Sequence, residues 1–392
     1  MPELADILRD YKEQFLKKYK MPLHILKAMN LITKCRTSEL GGHVLQCEKC
    51  SNVHIQYNSC RNRHFPKCQG DIAKQWVEDR KKEALPVPYY HVIFTVPDKL
   101  NPVILRNQKL LYNLIFKATS KTLLELVEDS QYVGGKAGFM SVLHTWGQNM
   151  MEHPHIHSYV AGGGLSQDEN YWMDTKHEKY LIPVHVISRV FRGKFMEEFV
   201  TLYECGKLKL IGEVAYLKDK KKFSKLKDEL YKKGWVVNVR PPFSKADTVI
   251  GYLSRYLNRV AISNDRILKV ENNKVTFKWK DNRDKKDKIM TLDAVEFIRR
   301  FALHILPARF VKIRYYGFMS NRQRKDKIST ITKLLKHRTK KEKDNTQEQL
   351  SENHLVTDDN ENKDVNEWKC PKCHELMHKV RVFMPSRAAP II

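Results

Sequence analysis

Three histidines alternate along one short stretch of the sequence, at positions 153, 155 and 157. Successive side chains of a β-strand point to opposite faces, so His153, His155 and His157 would share one face. Neutral imidazole is a common ligand of divalent metal ions. We predict that His155 and His157 bind one divalent metal. The segment that leads into this one offers His144 or Gln148 as a third ligand, whereas His153 lies at the start of the strand and is a weaker candidate.

Two tyrosines, Tyr252 and Tyr256, have helical i, i+4 spacing and would therefore lie on the same side of a helix. Arg255 and Arg259 repeat that spacing, and their guanidinium groups could hold phosphates. A tyrosine phenolate can attack a phosphodiester when a divalent metal polarises the phosphorus. Taken alone, the tyrosines would fit a wider buried stripe better than a nucleophile, and it is the histidine pair that favours a nucleophile.

Cysteines concentrate between residues 35 and 70, where five of the eight in the chain occur. A Cys-x-x-Cys pair precedes a predicted hairpin, and further cysteines follow it, as in small modules that hold zinc between tight turns. The alternative is a group of buried cysteines without metal. The predicted zinc ligands are Cys47, Cys50, Cys68 and either Cys60 or His64, with Cys35 in reserve.

A second Cys-x-x-Cys pair, Cys370 and Cys373, lies far along the chain. Two thiolates are half of a zinc site. We expect either a second zinc site shared with His374 or His378, or a turn that holds no metal.

The balance of charge indicates a polyanionic partner. The chain has 392 residues with 71 Lys or Arg and 45 Asp or Glu, a formal net charge of +26. Nucleic acid is the leading candidate, because neutralising phosphates releases condensed counterions, and the alternatives are an ordinary basic protein or one bound to acidic membrane. No apolar run reaches the ~18 to 20 residues that span a bilayer, and no signal peptide is apparent. We therefore expect a cytoplasmic, nucleoid-associated protein with reduced cysteines.

The elements that would position these residues alternate between helices and strands. A strand at 89–96 and another at 138–144 lead into the histidine strand, after which three glycines would let backbone or DNA approach closely. Two amphipathic helices are predicted within 1–34, and a further helix at 292–304 is predicted to be capped by Thr291. The other predicted elements are helices at 104–127 and 246–260 and strands at 235–240, 273–280 and 310–317.

The C-terminal part of the chain changes its charge abruptly. Residues 320–343 hold ten Lys or Arg and two Asp or Glu, whereas residues 344–367 hold eight acids and one lysine. We predict that the basic tract contacts the DNA backbone through residues such as Arg322, Arg324 and Lys325, with a solvated disordered tail as the alternative. The acidic stretch predicts a disordered linker. The predicted division of the chain is N-terminal helices at 1–34, a zinc module at 35–70, a catalytic domain at 71–319, the tract and linker at 320–367, and the Cys-x-x-Cys segment at 368–392.

Taken together and in this order, the motifs resemble those of the two-tyrosine HUH transposases of rolling-circle insertion sequences. The resemblance rests on the cysteine-rich segment that ends in 60–69, the histidine strand with its glycines, the paired tyrosines and the stretch 299–317. It implies an α+β fold: a central antiparallel sheet flanked by helices, as in replication initiators and relaxases, with a small N-terminal zinc-binding module.

The resemblance also implies a reaction. His155 and His157 would bind Mg²⁺ or Mn²⁺, and Tyr252 or Tyr256 would attack single-stranded DNA at the ends of the element. The products would be a 5′-phosphotyrosine and a free 3′-hydroxyl, and the other tyrosine would serve a second cleavage and strand transfer. A homo-oligomer is compatible with this reaction. The competing interpretations are a non-catalytic zinc-containing DNA-binding regulator and a plasmid replication initiator or relaxase with the same chemistry.

One position departs from the family's pattern. Where the family usually has the first cysteine of Cys-Pro-Lys-Cys, this chain has Phe65 before Pro66, Lys67 and Cys68. One thiolate is therefore missing from the expected zinc set, and Cys60 or His64 would have to replace it.

Overall fold

The computed structural model describes residues 2–68, 78–81, 83–177, 180–243, 260–281, 284–344 and 368–385. The predicted helix at 246–260 lies almost entirely outside these residues, and with it Tyr252, Tyr256, Arg255 and Arg259.

The described residues form a mixture of α-helices and antiparallel strands, which confirms the predicted α+β class. The α-helices are α1 (Leu4–Lys18), α2 (Leu23–Thr33), α3 (Asn101–Arg106), α4 (Gln108–Glu128), α5 (Val184–Glu204), α6 (Lys220–Lys232), α7 (Ala294–Leu303) and α8 (Arg324–Asp344). The strands are β1 (Gly42–Cys47), β2 (Val53–Tyr57), β3 (Tyr89–Thr95), β4 (Gly138–Trp146), β5 (Glu152–Ala161), β6 (Gly163–Leu165), β7 (Trp172–Asp174), β8 (Val237–Phe243), β9 (Ile267–Glu271), β10 (Lys274–Lys280), β11 (Asp287–Asp293), β12 (Ile313–Gly317), β13 (Trp368–Lys369) and β14 (Leu376–Phe383). No described helix is both long enough and apolar enough to cross a membrane.

A five-stranded sheet organises the middle of the chain, in the order β12-β4-β5-β3-β8, with every neighbouring pair antiparallel. Because side chains alternate along a strand, each strand sends one set of residues to each face. One face carries Val92, Phe94, Leu143, Ile156 and Val160, which are buried in the largest hydrophobic cluster together with residues of α4 and α5. The histidines of β4 and β5 have the other parity and therefore lie on the opposite face.

The turn after β5 depends on close contact between two stretches of backbone. A Cβ atom added to Gly164 would lie 2.7 Å from the carbonyl carbon of Gly135, closer than real Cβ atoms approach backbone. The structure thus confirms the predicted close approach of backbone at these glycines.

A second hydrophobic cluster joins the beginning of the chain to its later part. Leu4, Ile7, Leu8 and Phe15 repeat at the predicted helical spacing in α1 and are buried. The same cluster contains residues of α7 and of the three-stranded sheet β11-β10-β9, and also the cysteine segment through Cys35 and Cys68. The N-terminal helices and the cysteine segment therefore share a core with residues 262–305 rather than having cores of their own.

A smaller sheet, in the order β13-β14-β1-β2, combines the cysteine segment with the C-terminal segment. Strand β14 pairs antiparallel with β1, so that Cys47 lies opposite Met377. Four residues bury the seam between the two segments: Leu45, Cys47, Cys370 and Met377.

The predicted start of the helix at 292–304 was wrong. Thr291 does not cap a helix that begins at Leu292, because both residues belong to β11, where the Thr291 hydroxyl lies 2.9 Å from that of Thr276 on β10. The cap is Asp293, whose carboxylate accepts a hydrogen bond from the amide of Val295 at 2.9 Å. Tertiary pairing of the strand outweighed the local capping preference.

The basic tract is also not a disordered tail over its described length, because α8 covers Arg324–Asp344. Ile331 of this helix is fully buried against the face of the central sheet that carries Met140 and Val142. The predicted linker lies outside the described residues from 345 to 367.

Candidate metal centres

Three histidines meet on the face of the central sheet that is turned away from α4 and α5. His144 on β4 is the direct cross-strand partner of His155 on β5, and His157 follows two residues later on the same face. One ring nitrogen from each residue lies within 4.8 Å of the other two. The ring centroids of His144 and His157 are 4.5 Å apart. This convergence is the geometry that a single metal ion with three imidazole ligands requires.

Hydrogen bonds fix which ring nitrogen two of these residues would present. The Nδ1 of His155 lies 2.6 Å from the carbonyl oxygen of His153, so Nδ1 donates a proton and Nε2 carries the lone pair. The Nδ1 of His157 lies 2.8 Å from the Nε2 of His91 on β3. With Nδ1 engaged by His91, Nε2 is the atom of His157 that would face a metal. Such outer partners orient metal-binding histidines in known sites.

The environment keeps these imidazoles neutral at ordinary pH. Burial lowers the pKa of His155 to about 4 and holds the pKa of His157 well below its usual value. Burial, followed by the charge of Arg240, lowers the pKa of His91 to about 3. Neutral imidazole is the form that coordinates a metal. Among the residues that the structure describes, no carboxylate belongs to the cluster, so the charge of a bound ion would not be cancelled.

The other predicted ligands have different places. Gln148 lies in the turn between β4 and β5, where its carbonyl oxygen accepts a hydrogen bond from the guanidinium of Arg266. His153, the first of the three alternating histidines, stands at the half-exposed start of β5, with Nδ1 3.7 Å from a carboxylate oxygen of Asp98.

Sequence reasoning missed two neighbours of this centre. His91 is fully buried and stacks on Tyr159 with ring centroids 4.5 Å apart, in addition to its contact with His157. Arg240 on β8 is the cross-strand partner of His91 and is exposed on the same face. A signal for His91 existed, because it is the one histidine in the largely apolar stretch 89–96.

The cysteines form two groups, and their grouping differs from the prediction. Cys47 and Cys50 meet Cys370 and Cys373, whereas Cys60 and Cys68 meet the reserve residue Cys35. The predicted single set of Cys47, Cys50, Cys68 and Cys60 or His64 is not brought together. The physical reason is the pairing of β14 with β1, which places the distant Cys-x-x-Cys turn against the first one.

The three-cysteine group lies inside the second hydrophobic cluster. The Sγ atoms of Cys35 and Cys68 are 3.4 Å apart, and those of Cys60 and Cys68 are 3.7 Å apart. Phe65, which stands where the resembling family has a cysteine, is 1% exposed in the same cluster. Among the described residues, no fourth histidine, cysteine or carboxylate joins these thiols.

His64 is engaged elsewhere and does not replace the missing thiolate. Its Nε2 lies 3.3 Å from the amide of Leu306 and accepts a hydrogen bond from it. Burial holds the pKa of His64 well below its usual value, which keeps the ring neutral and able to accept that bond.

The basic residues predicted to contact DNA differ in their surroundings. Arg322 and Lys325 are exposed. Arg324 forms an ion pair with Glu83 at 3.0 Å and lies over the ring of Tyr315 at 4.7 Å. The guanidinium of Arg324 therefore helps to hold α8 on the sheet and is only partly free to contact DNA.

Comparison with known proteins supports the assignment of the chain. A family model described as "Putative transposase" matches residues 138–327, which include the three histidines and the segment that holds Tyr252 and Tyr256. A second model, "Transposase zinc-binding domain", matches residues 7–96, which include five of the cysteines. No solved structure shows significant similarity to the chain.

Two curated relatives are also named transposases, and each matches this chain over most of its length. "Putative transposase y4qJ" of Sinorhizobium fredii is 42% identical over 336 residues, which is 85% of this chain and 84% of that protein. "Transposase for insertion sequence element IS801" of Pseudomonas savastanoi pv. phaseolicola is 26% identical over 294 residues, 74% of this chain and 68% of that protein. The chain therefore belongs to the family of insertion-sequence transposases that carry this N-terminal zinc-binding domain.

Proposed function

We propose that this transposase cleaves and rejoins single-stranded DNA at the ends of an insertion sequence through a 5′-phosphotyrosine intermediate, as in rolling-circle transposition. The observation that carries the proposal is the convergence of His144, His155 and His157 within 4.8 Å on one face of an antiparallel sheet. In a transposase, a three-histidine centre on the face of a sheet is suited to a phosphodiester substrate. When bound there, Mg²⁺ or Mn²⁺ would supply Lewis-acid polarisation of the scissile phosphate.

The residues around the centre would orient its ligands and the DNA. His153 holds His155 through its carbonyl oxygen, and His91 holds His157 through its ring. Arg240 is exposed on the same face and would contact a DNA phosphate next to the site. The hard oxygen ligands that Mg²⁺ and Mn²⁺ prefer would come from the DNA itself.

The nucleophile would be Tyr252 or Tyr256. The phenolic oxygen forms a bond to the phosphorus while the bond from phosphorus to the 3′-oxygen breaks. The phenol loses its proton, and the departing 3′-oxygen gains one to become a hydroxyl. One phosphodiester is exchanged for another, so strand transfer needs no external energy source. The second tyrosine would repeat the exchange on a second strand. Arg255 and Arg259 would hold the neighbouring phosphates.

A covalent adduct tests the proposal directly. Wild-type protein incubated with single-stranded oligonucleotides from the element ends and Mn²⁺ should give a slower band on a denaturing gel. Tyr252→Phe/Tyr256→Phe should abolish the band, and Tyr171→Phe, at an exposed tyrosine of the β6–β7 connection, should keep it.

Removal of the metal ligands separates catalysis from binding. His155→Ala/His157→Ala should lose the adduct and retain DNA affinity, whereas His185→Ala, at an exposed histidine near the start of α5, should behave as wild type. An adduct that persists in the double tyrosine variant would contradict the nucleophile assignment. A wild-type protein that binds DNA and forms no adduct on any strand would support a non-catalytic regulator instead.

A further inference from the structure

The first Cys-x-x-Cys pair ends β1 with a tight turn. The amide of Cys47 donates to the carbonyl of Asn52 at 3.0 Å, and the amide of Ser51 donates to the carbonyl of Cys47 at 2.9 Å. Ser51 has a φ of 53°, in the left-handed region that non-glycine residues rarely adopt. The Sγ atoms of Cys47 and Cys50 lie within 4.8 Å of each other at this turn.

The second pair repeats this turn bond for bond. The amide of Cys370 donates to the carbonyl of Glu375 at 2.7 Å, and the amide of His374 donates to the carbonyl of Cys370 at 2.9 Å. His374, like Ser51, is the fourth residue after the first cysteine and has a left-handed φ of 61°. Two segments with different sequences between and after their cysteines therefore adopt the same conformation at the same positions.

The two turns face each other and bring four sulfurs together. The Sγ of Cys373 lies 3.4 Å from that of Cys47 and 3.5 Å from that of Cys50. The Sγ atoms of Cys50 and Cys370 are 3.5 Å apart, and all four lie within 4.8 Å of one another. A tetrahedral zinc ion with Zn–S bonds of about 2.3 Å separates its sulfurs by about 3.8 Å. We propose that Cys47, Cys50, Cys370 and Cys373 form a tetrathiolate zinc site that is built from two distant parts of the chain.

Burial of cysteines as small apolar residues does not explain the arrangement. Cys47 and Cys370 are buried, but Cys50 is exposed and Cys373 is half-buried. An exposed thiol gains little from packing. A zinc ligand, in contrast, is held in place by the metal even where the site is open to solvent. The amide of Lys372 also approaches the Sγ of Cys370, at 3.4 Å. Amide hydrogen bonds to sulfur are a usual feature of metal-bound thiolates.

The site would hold the C-terminal segment on the N-terminal module. Most of β14 is exposed, and the shared apolar seam consists of only four residues. The ion pair between Lys49 and Glu375, at 3.2 Å, is exposed on both sides and contributes little. Units this small usually need a metal or a disulfide to stay folded. A zinc ion would join residues 320 positions apart in the sequence.

By holding the two segments together, the zinc site would also complete a groove on the surface of the small sheet. One wall of this groove comes from the N-terminal module, including Arg36, His43 and Arg61, and the other includes Trp368 and Lys379. Loss of the zinc would therefore remove one wall of the groove together with the C-terminal segment.

Differential alkylation of the full-length protein tests the site without any substitution. Cys50 and Cys205 are both exposed, and Cys205, at the end of α5, belongs to neither cysteine group. If zinc binds Cys50, N-ethylmaleimide should label Cys205 at once and Cys50 many-fold more slowly. A chelator should then make all four site cysteines reactive together. Equal labelling of Cys50 and Cys205 in the zinc-loaded protein would overturn the proposal.

Metal counting gives a second, independent readout. Cys370→Ser/Cys373→Ser should contain about one zinc fewer per chain than wild type by elemental analysis, whereas Cys205→Ser should lose none. Because the difference between variants is measured, zinc in the three-cysteine group does not obscure the result. Cobalt-substituted wild type should show the thiolate charge-transfer absorption of four sulfurs, reduced in the double variant. An unchanged zinc content in a folded double variant would contradict the site, whatever the outcome of the DNA cleavage assays.

Discussion

Substitution of His91 should weaken metal binding at the proposed three-histidine centre without changing any of its proposed ligands. His91 is fully buried, and its Nε2 lies 2.8 Å from the Nδ1 of His157. If His157 binds the metal through Nε2, its Nδ1–H donates to His91. The bond fixes the ring orientation of His157 and makes it a better ligand.

The expected magnitude follows from the loss of this one hydrogen bond. Loss of such an outer partner typically lowers metal affinity about 10- to 100-fold, which corresponds to about 1.4 to 2.7 kcal/mol. His91→Phe keeps the volume of the ring and its stacking on Tyr159 but removes the acceptor nitrogen. His91→Gln supplies an amide oxygen that can accept the same proton. We therefore expect Mn²⁺ affinity to fall from wild type to His91→Gln and further to His91→Phe.

Titration with Mn²⁺ followed by electron paramagnetic resonance measures the affinity, and circular dichroism confirms that each variant is folded. Saturating Mn²⁺ should restore most of the cleavage rate of His91→Phe, because its nucleophile and ligands are intact. His185→Ala is the control for loss of a histidine elsewhere. If folded His91→Phe binds Mn²⁺ as tightly as wild type, the His91–His157 bond has no part in metal binding.

Three further predictions concern the three-cysteine group, Arg240 and His304. Phe65→Cys should add a thiolate to the three-cysteine group and raise its resistance to chelators; unchanged resistance would mean that position 65 does not reach the metal. Arg240→Gln should reduce, by about one unit, the magnitude of the slope of the logarithm of DNA affinity against the logarithm of salt concentration. The control is Arg189→Gln, at an exposed arginine of α5, which should keep the wild-type slope. Equal slopes for the two variants would exclude a phosphate contact by Arg240. The metal-free protein should lose stability as pH falls from about 6.5 to 4, in part because burial lowers the pKa of His304 to about 4 and the unfolded chain binds more protons in that window. His304 alone would contribute up to about 3 kcal/mol, and thermal denaturation of His304→Gln should show a weaker dependence on pH.

The three-histidine group was partly predictable because its residues are close in the sequence. His155 and His157 share a face through the two-residue period of a strand, and His144 lies on the strand that leads directly into it. Antiparallel neighbours joined by a short turn must pair, so local pattern sufficed. His91 was missed because nothing local indicates that β3 pairs with the other edge of β5.

The grouping of the cysteines could not be predicted either, because local sequence does not show which distant strands pair. Cys47 and Cys50 have nearer partners in the sequence, at Cys60 and Cys68, than at Cys370 and Cys373. Only the pairing of β14 with β1 decides between them, and such pairing depends on tertiary structure. Likewise, the dense positive charge of residues 320–343 concealed Ile331, whose burial holds α8 against the sheet.

In the proposed reaction, a tyrosine of this chain becomes covalently bound to DNA. The most direct measurement is mass spectrometry of peptides from wild-type protein that has reacted with single-stranded element ends and Mn²⁺ and has then been digested with nuclease and protease. We expect a nucleotide bound through its 5′-phosphate to Tyr252 or Tyr256, and none in His155→Ala/His157→Ala. A nucleotide on any other residue, or cleaved DNA with no protein-bound nucleotide, would contradict it.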